Sequence, residues 1–297
     1  MSNYRHPGSG RAWWRASART PRTGRAQRCS GGGELRDSWL MPLALPCGLG
    51  GLAERGVVVQ EITALQHAMA SRSANPAIYV RQPKLADGSI SDMPVLTNLF
   101  ASRELSARAL GIDDHRRSAS ALAELSSRAI DPVVVAEDDA PVREVIAVGG
   151  DANLLTLPAL RQHEGDAGHY VTCGHVVTYD PVTGIDNMGI QRLWVRSERL
   201  MGCYMLETSH NMVNLHKFWT KGEPCPVAIW VGHHPAVEMG AQSKLGYPES
   251  HWGVAGGALG EALRLVPSVT HGEKIMVPAD AEIGGSLKEV KGARTQI

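Results

Sequence analysis

The sequence predicts an α/β (α+β) fold in which helices pack on a mixed, mostly antiparallel, barrel-like sheet, preceded by a small N-terminal α/β segment. The second half of the chain is rich in runs that alternate between apolar and polar residues, which is typical of half-buried strands. Shorter segments with apolar residues at helical spacing lie between these runs. The 297 residues, of which 43% are hydrophobic, suffice for a sizeable core and for two domains.

Composition divides the chain into three parts. Residues 1–50 form an atypical N-terminus, whose first 33 residues carry seven arginines but no Asp, Glu or Lys, and we expect disorder there. A transit peptide has a similar composition, so a targeting segment stays open as an alternative. Residues 51–140 are predicted as the N-terminal α/β segment and residues 141–297 as the barrel-like domain.

Individual elements follow from hydrophobic periodicity and from helix-start and turn residues. Strands are predicted at Val57–Ile62, Pro76–Val80, Pro94–Leu99, His169–Tyr179, Met188–Val195, Met201–Leu206, Val227–Val231, Ala262–Val266 and Lys274–Val277. Helices are predicted at Ser102–Leu110, Ser118–Ile130, Ser209–Trp219 and Val237–Leu245. Ser209 is expected to be an N-cap, because a Ser hydroxyl accepts a hydrogen bond from the first helical turn.

Charge and cysteine usage narrow the class of protein. The 30 basic residues balance 30 acidic ones and only 5% of residues are aromatic, which argues against a nucleic-acid partner or a membrane-surface role. The five cysteines form no CxxC pair, which indicates free thiols in a reducing compartment and hence a cytoplasmic protein. No apolar run is long enough for a membrane span.

The segment Asn187–Arg192 carries the strongest chemical signal. It combines an amide oxygen, a glycine that lets backbone N–H groups approach a phosphate, and an arginine able to hold a carboxylate or phosphate. A turn Asn, a strand Gly and a surface Arg are the structural alternative. Asn187 and Arg192 have opposite strand parity, so facing one site together would need a bulge near Gly189.

Two further segments supply possible metal ligands. His210 follows the predicted cap Ser209 at a helix start, where free N–H groups favour an anion. Glu249 precedes a run of small residues and could complete a site with Asn187 and His210, and His251 is a rival ligand two residues on. Amide and carboxylate oxygens with one imidazole suit Mn²⁺ or Mg²⁺.

An unrelated metal hydrolase that uses His233, His234 and Glu238 is a competing hypothesis. The two histidines end a predicted buried strand, but adjacent strand residues point in opposite directions. The sequence has no Rossmann fingerprint, P-loop, nucleophile elbow or zincin motif, so those classes lack support.

Several motifs in one order resemble the UbiD family of reversible decarboxylases, which use prenylated flavin mononucleotide. The similarity is weak before Ala140 and good from there to Ile283. The matching stretches are Pro94–Glu104, Leu157–Ala159, His163–Tyr170, Val176–Gly184, Asn187–Arg192, Ser209–His210, Gly222–Pro224, Pro226–Ala228, Ala255–Glu261 and Val277–Ile283.

The resemblance implies a split-barrel flavin-binding sheet, prenylated FMN and Mn²⁺ (or Mg²⁺) as cofactors, and K⁺ as a further cation. By position, it implies the metal ligands Asn187, His210 and Glu249. The implied cofactor-binding residues are Ile190, Gln191, Arg192, Ser209 and His210. Arg192 would also be catalytic. The family's Glu usually falls closer to the small-residue run than Glu249 does.

The implied reaction removes CO₂ from an aromatic or α,β-unsaturated acid, and an electron-accepting cofactor and a proton-donating carboxylic acid assist it. The family's catalytic glutamates lie downstream of Val277–Ile283, and its second α/β domain would also follow, so the chain is expected to be truncated. A non-catalytic flavin- and metal-binding remnant is therefore the alternative. The implied partners are a small carboxylic acid and the enzyme that supplies prenylated flavin. A homo-oligomer is implied for full-length members and stays open for this chain.

Overall fold

The computed structural model describes residues 61–71 and 75–287. The α-helices are α1 Glu61–Ala70, α2 Arg103–Ala109, α3 Ser118–Ser126, α4 His210–Trp219, α5 Pro235–Gly240 and α6 His251–Leu259. The strands are β1 Ile78–Val80, β2 Val95–Thr97, β3 Val133–Val134, β4 His169–Tyr179, β5 Asp186–Ser197, β6 Leu200–Cys203, β7 Val227–Val231, β8 Arg264–Ser268, β9 Gly272–Pro278 and β10 Ile283–Leu287. Short 3₁₀ turns lie at His115–Arg117, Glu137–Asp139, Pro141–Arg143, Gly149–Asp151 and Leu154–Thr156.

The described residues form two compact units. The first comprises residues up to Leu105 together with Asn153–His169, and its strands β1 and β2 pair antiparallel. Its apolar core consists of Ile62 from α1, Ile78 and Val80 from β1, and Leu160.

The second unit comprises Ser106–Ala152 and the chain from Tyr170 onward, and it contains two sheets. The larger has the strand order β10-β7-β4-β5-β6, with antiparallel pairing of β10 to β7, β7 to β4 and β5 to β6. The smaller has the order β3-β8-β9, in which β3 runs parallel to β8 and β9 runs antiparallel to it. Mixed, mostly antiparallel sheets with helices confirm the predicted fold class.

Two of the predicted strands match the structure at both ends, β4 and β7. The helix α4 also begins as predicted, because the Ser209 hydroxyl accepts a hydrogen bond from Met212 N at 3.3 Å. The prediction of a strand through Ile62 is wrong, since Glu61 and Ile62 open helix α1, while residues 57–60 lie outside the described range. No helix in the described part of the chain is long and apolar enough to cross a membrane.

Helix α6 was not predicted, although it lies at the centre of the second unit. Three of its nine residues are glycines, each of which costs about 1 kcal/mol of helix propensity relative to alanine. A Cβ at Gly257 would lie 2.7 Å from the backbone carbonyls of Leu125 and Arg128, beside helix α3. The glycines are therefore explained by the close approach of α6 to its neighbours, which outweighs local propensity.

The first prediction concerns this close approach. Gly257→Ala is expected to destabilise the protein by about 1–3 kcal/mol despite the better helix propensity of alanine, because the new methyl group meets backbone atoms that cannot rotate away. Urea unfolding measures the change. Gly150→Ala is the matched control: nothing lies within 4 Å of its Cβ position, so its free energy of unfolding should move by less than about 0.5 kcal/mol. Equal stability of the two variants would refute the packing argument.

Candidate functional site

The start of strand β5 is attached to the start of helix α6 by one carboxylate. The buried Asp186 side chain accepts hydrogen bonds from Ser250 Oγ at 2.5 Å, His251 N at 2.8 Å and Trp252 N at 3.2 Å. A carboxylate at a helix N-terminus satisfies free N–H groups and interacts favourably with the helix dipole. Burial raises the pKa of Asp186, and these three hydrogen bonds oppose the rise.

The next residue attaches β5 to the start of helix α4. The Asn187 side-chain amide donates to Asn211 Oδ1 at 2.6 Å, and Asn211 is the second residue of α4. Asn211 also accepts from Thr178 Oγ1 at 2.9 Å and donates to the Val176 carbonyl at 3.1 Å. In this orientation the Asn187 amide oxygen faces only acceptors, and the amide nitrogen faces the N–H groups of Met188 and Asn211, both at 3.2 Å. The reverse orientation, in which the oxygen accepts from these two N–H groups, satisfies both ends of the amide better, so an Asn187 oxygen that binds a cation would have to turn away from them.

Helices α4 and α6 therefore both begin beside the first residues of β5. We call this place the junction, and it consists of Asp186, Asn187, Ser209, His210, Asn211 and His251. At the start of α6 the first N–H groups already donate to Asp186 and Ser250, so the start of α4 is the helix N-terminus that favours a phosphate. The junction also contains two imidazoles, because His210 and His251 are the first residues of their helices.

His251 is the less satisfied of the two histidines. Its side chain is 5% exposed, and Nδ1 has no hydrogen-bond partner of good geometry among the described residues. A buried nitrogen without a partner costs about 1–3 kcal/mol unless a ligand satisfies it. Burial, followed by the charge of nearby His210, lowers the pKa of His251 to about 4, against a weak opposing hydrogen bond to the Glu249 backbone.

A polar network supports the position of His210. Its ring centroid lies 5.0 Å from that of Tyr247. The Tyr247 hydroxyl donates to Asp180 Oδ2 at 2.9 Å, and Lys217 Nζ donates to the same oxygen at 2.9 Å. Burial alone would raise the pKa of Asp180, but hydrogen bonds from Val182 N, Lys217 and Tyr247 outweigh it and lower the pKa to about 2. Asp180 therefore stays ionised and fixes the tyrosine against the histidine.

Glu249 takes a different direction from His251. Its side chain is exposed, and its Oε1 lies 2.8 Å from the position of a Cβ on Gly246. The carboxylate thus folds back on its own loop. Among the residues that the structure describes, no three His, Cys, Asp or Glu side chains converge as a metal site. Any metal site at the junction must therefore include an oxygen donor of another type, such as the Asn187 amide.

The first half of β5 has an edge that β6 leaves uncovered, because β6 pairs only with Leu193–Ser197. Within that half, the Ile190 N–H donates to the Gln242 side chain at 2.9 Å, and Ile190 is 40% exposed. Gln191 Nε2 lies 3.5 Å from the Cβ position of Gly189, on the Asn211 side of the strand. The exposed part of this edge is confined to Gly189–Arg192, since Asp186, Asn187 and Met188 are buried.

The fold does not place the Arg192 side chain beside the side chain of Asn187. Five positions separate the two residues in one continuous strand, so their side chains leave opposite faces. The Arg192 guanidinium lies over the Tyr170 ring, 5.5 Å from its centroid. A ligand that contacts both residues has to extend along or across the strand edge.

The histidines after strand β7 occupy a separate, buried cluster. The Glu238 side chain accepts from His233 N at 3.2 Å, and His233 Nδ1 accepts from His234 N at 2.7 Å. His175 stacks on Trp230 with ring centroids 3.7 Å apart. These groups bond to backbone and to each other. Within the described residues they do not assemble a three-ligand metal centre, so the hydrolase hypothesis gains no support.

The cluster makes stability depend on pH in opposite directions. Burial raises the pKa of Glu238 from 4.5 to about 7, so the folded state favours the neutral carboxyl group. The contribution of this group to the free energy of unfolding is therefore lost as the pH rises through 7. Burial also lowers the pKa of His175 to about 4 and that of His233 to about 3, and their contributions are lost as pH falls from 6.5 toward these values.

The second prediction isolates Glu238. Glu238→Gln keeps an oxygen that can accept from His233 N but removes the charge. The melting temperature of the variant relative to wild type should therefore be higher by a few degrees at pH 8 than at pH 5, where Glu238 is already neutral in the folded protein. Exposed Glu223→Gln serves as the control and should show no such pH dependence. An identical difference at both pH values would show that the Glu238 pKa is not raised.

Sequence reasoning found Asn187, Ser209 and His210 at the junction but missed Asp186 and Asn211. Each lies next to a residue that was singled out, and short polar residues beside helix and strand ends are a usable signal. Their partners are 24 to 66 positions away, however, so neither role could be read locally.

Two family models match most of this chain. The model described as the 3-octaprenyl-4-hydroxybenzoate carboxy-lyase Rift-related domain (UbiD) matches residues 133–284. The model of the N-terminal domain of the same carboxy-lyase matches residues 58–127.

Two curated relatives that are named as decarboxylases are longer than this chain. A phenolic acid decarboxylase of Sedimentibacter hydroxybenzoicus is 30% identical over 199 residues, which cover 64% of this chain and 41% of the relative. A phenolic acid decarboxylase of Escherichia coli O157:H7 is 33% identical over 113 residues, covering 36% and 24%. The chain thus spans less than half the length of these relatives.

Two solved structures also resemble this chain, and the chain covers only about half of each. The UbiD-class enzyme HmfF of Pelotomaculum thermopropionicum, in an evolved dimeric form with prFMN, aligns with a TM-score of 0.69 at 28% identity, covering 80% of this chain and 54% of that one. The closed form of vanillic acid decarboxylase of Sedimentibacter hydroxybenzoicus aligns with a TM-score of 0.67 at 28% identity, covering 76% and 48%.

Proposed function

The chain belongs to the UbiD family of carboxy-lyases, and we propose that it binds prenylated FMN and a divalent cation for the reversible, non-oxidative decarboxylation of an aromatic or α,β-unsaturated carboxylic acid. The observation that carries this proposal is the junction, where two helix N-termini, an amide and two imidazoles meet beside the uncovered edge of β5. Phosphate and cation would bind at the junction, and the ring system would extend along the edge.

The donor set of the junction would suit a divalent cation. Asn187 and His210 would be protein ligands of Mn²⁺ or Mg²⁺, with Glu249 or His251 as the third. The N–H groups at the start of α4, behind Ser209, would hold the phosphate oxygens. The buried His251 nitrogen without a well-placed partner is the structural sign that a ligand belongs here. K⁺ is a further cation of the proposal, to which no residue is assigned.

The edge of β5 would hold the flavin and the acid. Ile190 and Gln191 would contact the cofactor, and the permanently charged guanidinium of Arg192 would orient the substrate carboxylate. Prenylated flavin, when bound, supplies the acceptor for the electron pair that remains after CO₂ leaves. Aromatic acids are favoured as substrates because the relatives are named for phenolic and vanillic acids.

The remaining parts of the proposal follow the family. Another enzyme would supply the prenylated flavin, the protein would act in the cytoplasm, and full-length assembly as a homo-oligomer would be expected. The chain spans only part of its relatives, so binding of flavin and metal without turnover is the second candidate function.

The third prediction tests cofactor binding. The full chain should bind FMN in the presence of Mn²⁺, as measured by quenching of flavin fluorescence. Asn187→Ala should weaken FMN binding at least tenfold, roughly the loss expected when a metal site is disturbed. Asn153→Ala replaces an exposed asparagine that is distant from Asn187 in the sequence, and it should leave the affinity for FMN unchanged. No FMN binding by the wild-type chain would contradict the proposed function.

The fourth prediction tests turnover and Arg192. After loading with prenylated FMN and Mn²⁺, release of CO₂ is assayed with a panel of hydroxybenzoic and acrylic acids. Arg192→Ala should lower kcat/KM by roughly 10²-fold, because a charge-stabilising group is lost, and Arg192→Lys should recover part of the loss. Arg199→Ala, on the exposed turn between β5 and β6, is the control. Cofactor binding without any CO₂ release would favour the binding-only function.

A further inference from the structure

We propose that His251, rather than Glu249, is the third protein ligand of the cation, so that the site consists of one amide oxygen and two imidazole nitrogens. This inference rests on the proposed function, since it concerns the same cation. It assigns the role by the position of each side chain in the fold, where the sequence alone left both residues open.

The first argument is the connectivity of the junction. The His251 N–H bonds to Asp186, whose neighbour Asn187 bonds through its side chain to Asn211, and Asn211 is the neighbour of His210. Two short hydrogen bonds and two peptide links therefore join the three proposed ligands. All three lie at the rigid ends of a strand or helix, which holds ligand geometry better than a loop does.

The second argument compares the two candidates directly. His251 is buried, 5% exposed, and it carries a ring nitrogen without a well-placed partner. Glu249 is exposed, and its carboxylate is directed onto Gly246 in its own loop. To reach the junction, Glu249 would have to leave this loop conformation, whereas the His251 backbone N–H is already bonded to Asp186 there.

The third argument follows from the charge of the ligands. An amide and two neutral imidazoles contribute no negative charge, so the phosphate of the flavin would be the anion that neutralises the cation. Imidazole suits transition-metal ions, whereas Mg²⁺ prefers carboxylate and water oxygens. The site is therefore expected to discriminate against Mg²⁺ and to bind a divalent ion well only when flavin phosphate is present.

The test counts the histidine ligands in the wild-type protein. The full chain is labelled with ¹⁵N-histidine and loaded with FMN and Mn²⁺, and pulsed electron paramagnetic resonance records the nitrogen couplings. Two directly coordinated histidine nitrogens are expected, and a single directly coordinated nitrogen would overturn the inference. This measurement needs no substitution that could disturb folding.

Variants provide the second part of the test. His251→Ala should lower the affinity for Mn²⁺ by more than about tenfold, because even the loss of a residue that only hydrogen-bonds to a metal ligand typically costs about that much. Glu249→Gln should lower the affinity for Mn²⁺ by less than about twofold. His251→Glu should raise the affinity for Mg²⁺ relative to Co²⁺. Circular dichroism checks each fold, and Glu223→Gln controls for a surface charge.

The outcomes separate the two proposals. Loss of Mn²⁺ binding in Glu249→Gln but not in His251→Ala would refute the ligand assignment and leave the proposed function standing. A wild-type chain that binds neither FMN nor Mn²⁺ would refute both.

Discussion

The hydrogen bonds of Asp186 are the constraint on which the candidate site depends. Burying a carboxylate is costly, and here the cost is offset by one hydroxyl and two backbone N–H groups at the start of α6. The same strand places Asn187 against the start of α4. Because both attachments come from consecutive residues, a shift of β5 along its own axis would disturb both helix starts at once. The position of the ligands is thus coupled to the register of the sheet.

Packing behind the junction gives this arrangement its stiffness. Helix α6 is buried along almost its whole length. Its glycines allow close contact with α3 and the residues that follow α3, and Gly240 of α5 allows close contact with Ala255 and Ala258 of α6. Trp252 and Ala255 of α6 belong to the main apolar cluster of the second unit, together with Trp230 of β7. A closely packed core resists the small displacements that would misplace a ligand. The small residues of α6 therefore affect the site indirectly, because the close packing that they allow fixes the position of His251 at the start of the helix.

The sequence predicted the elements whose pattern is local and failed where distant contacts decide. The sequence of strand β4 alternates in residue type and was predicted at both ends, although the structure buries five consecutive residues, Gly174–Thr178. Helix α6 is buried all round and rich in glycine, so it shows no amphipathic stripe. The apolar run before Ile62 has β-branched residues typical of a strand, yet Ile62 lies in a helix core. At the site, Asn187 and His210 could be singled out by residue type. The choice between Glu249 and His251 depends on which side chain the fold buries, and spacing cannot tell that.

A site without a carboxylate ligand has a thermodynamic consequence for the order of assembly. A divalent cation held only by the proposed neutral donors would keep its full charge until an anion arrives, and the N–H groups at the start of α4 would favour the same anion. Cation and flavin phosphate would each raise the affinity of the other by the same factor, since linkage is reciprocal. A carboxylate ligand would weaken that coupling, because it would neutralise part of the charge before the phosphate binds. The donor set of the junction therefore bears on cofactor loading as well as on the identity of the metal.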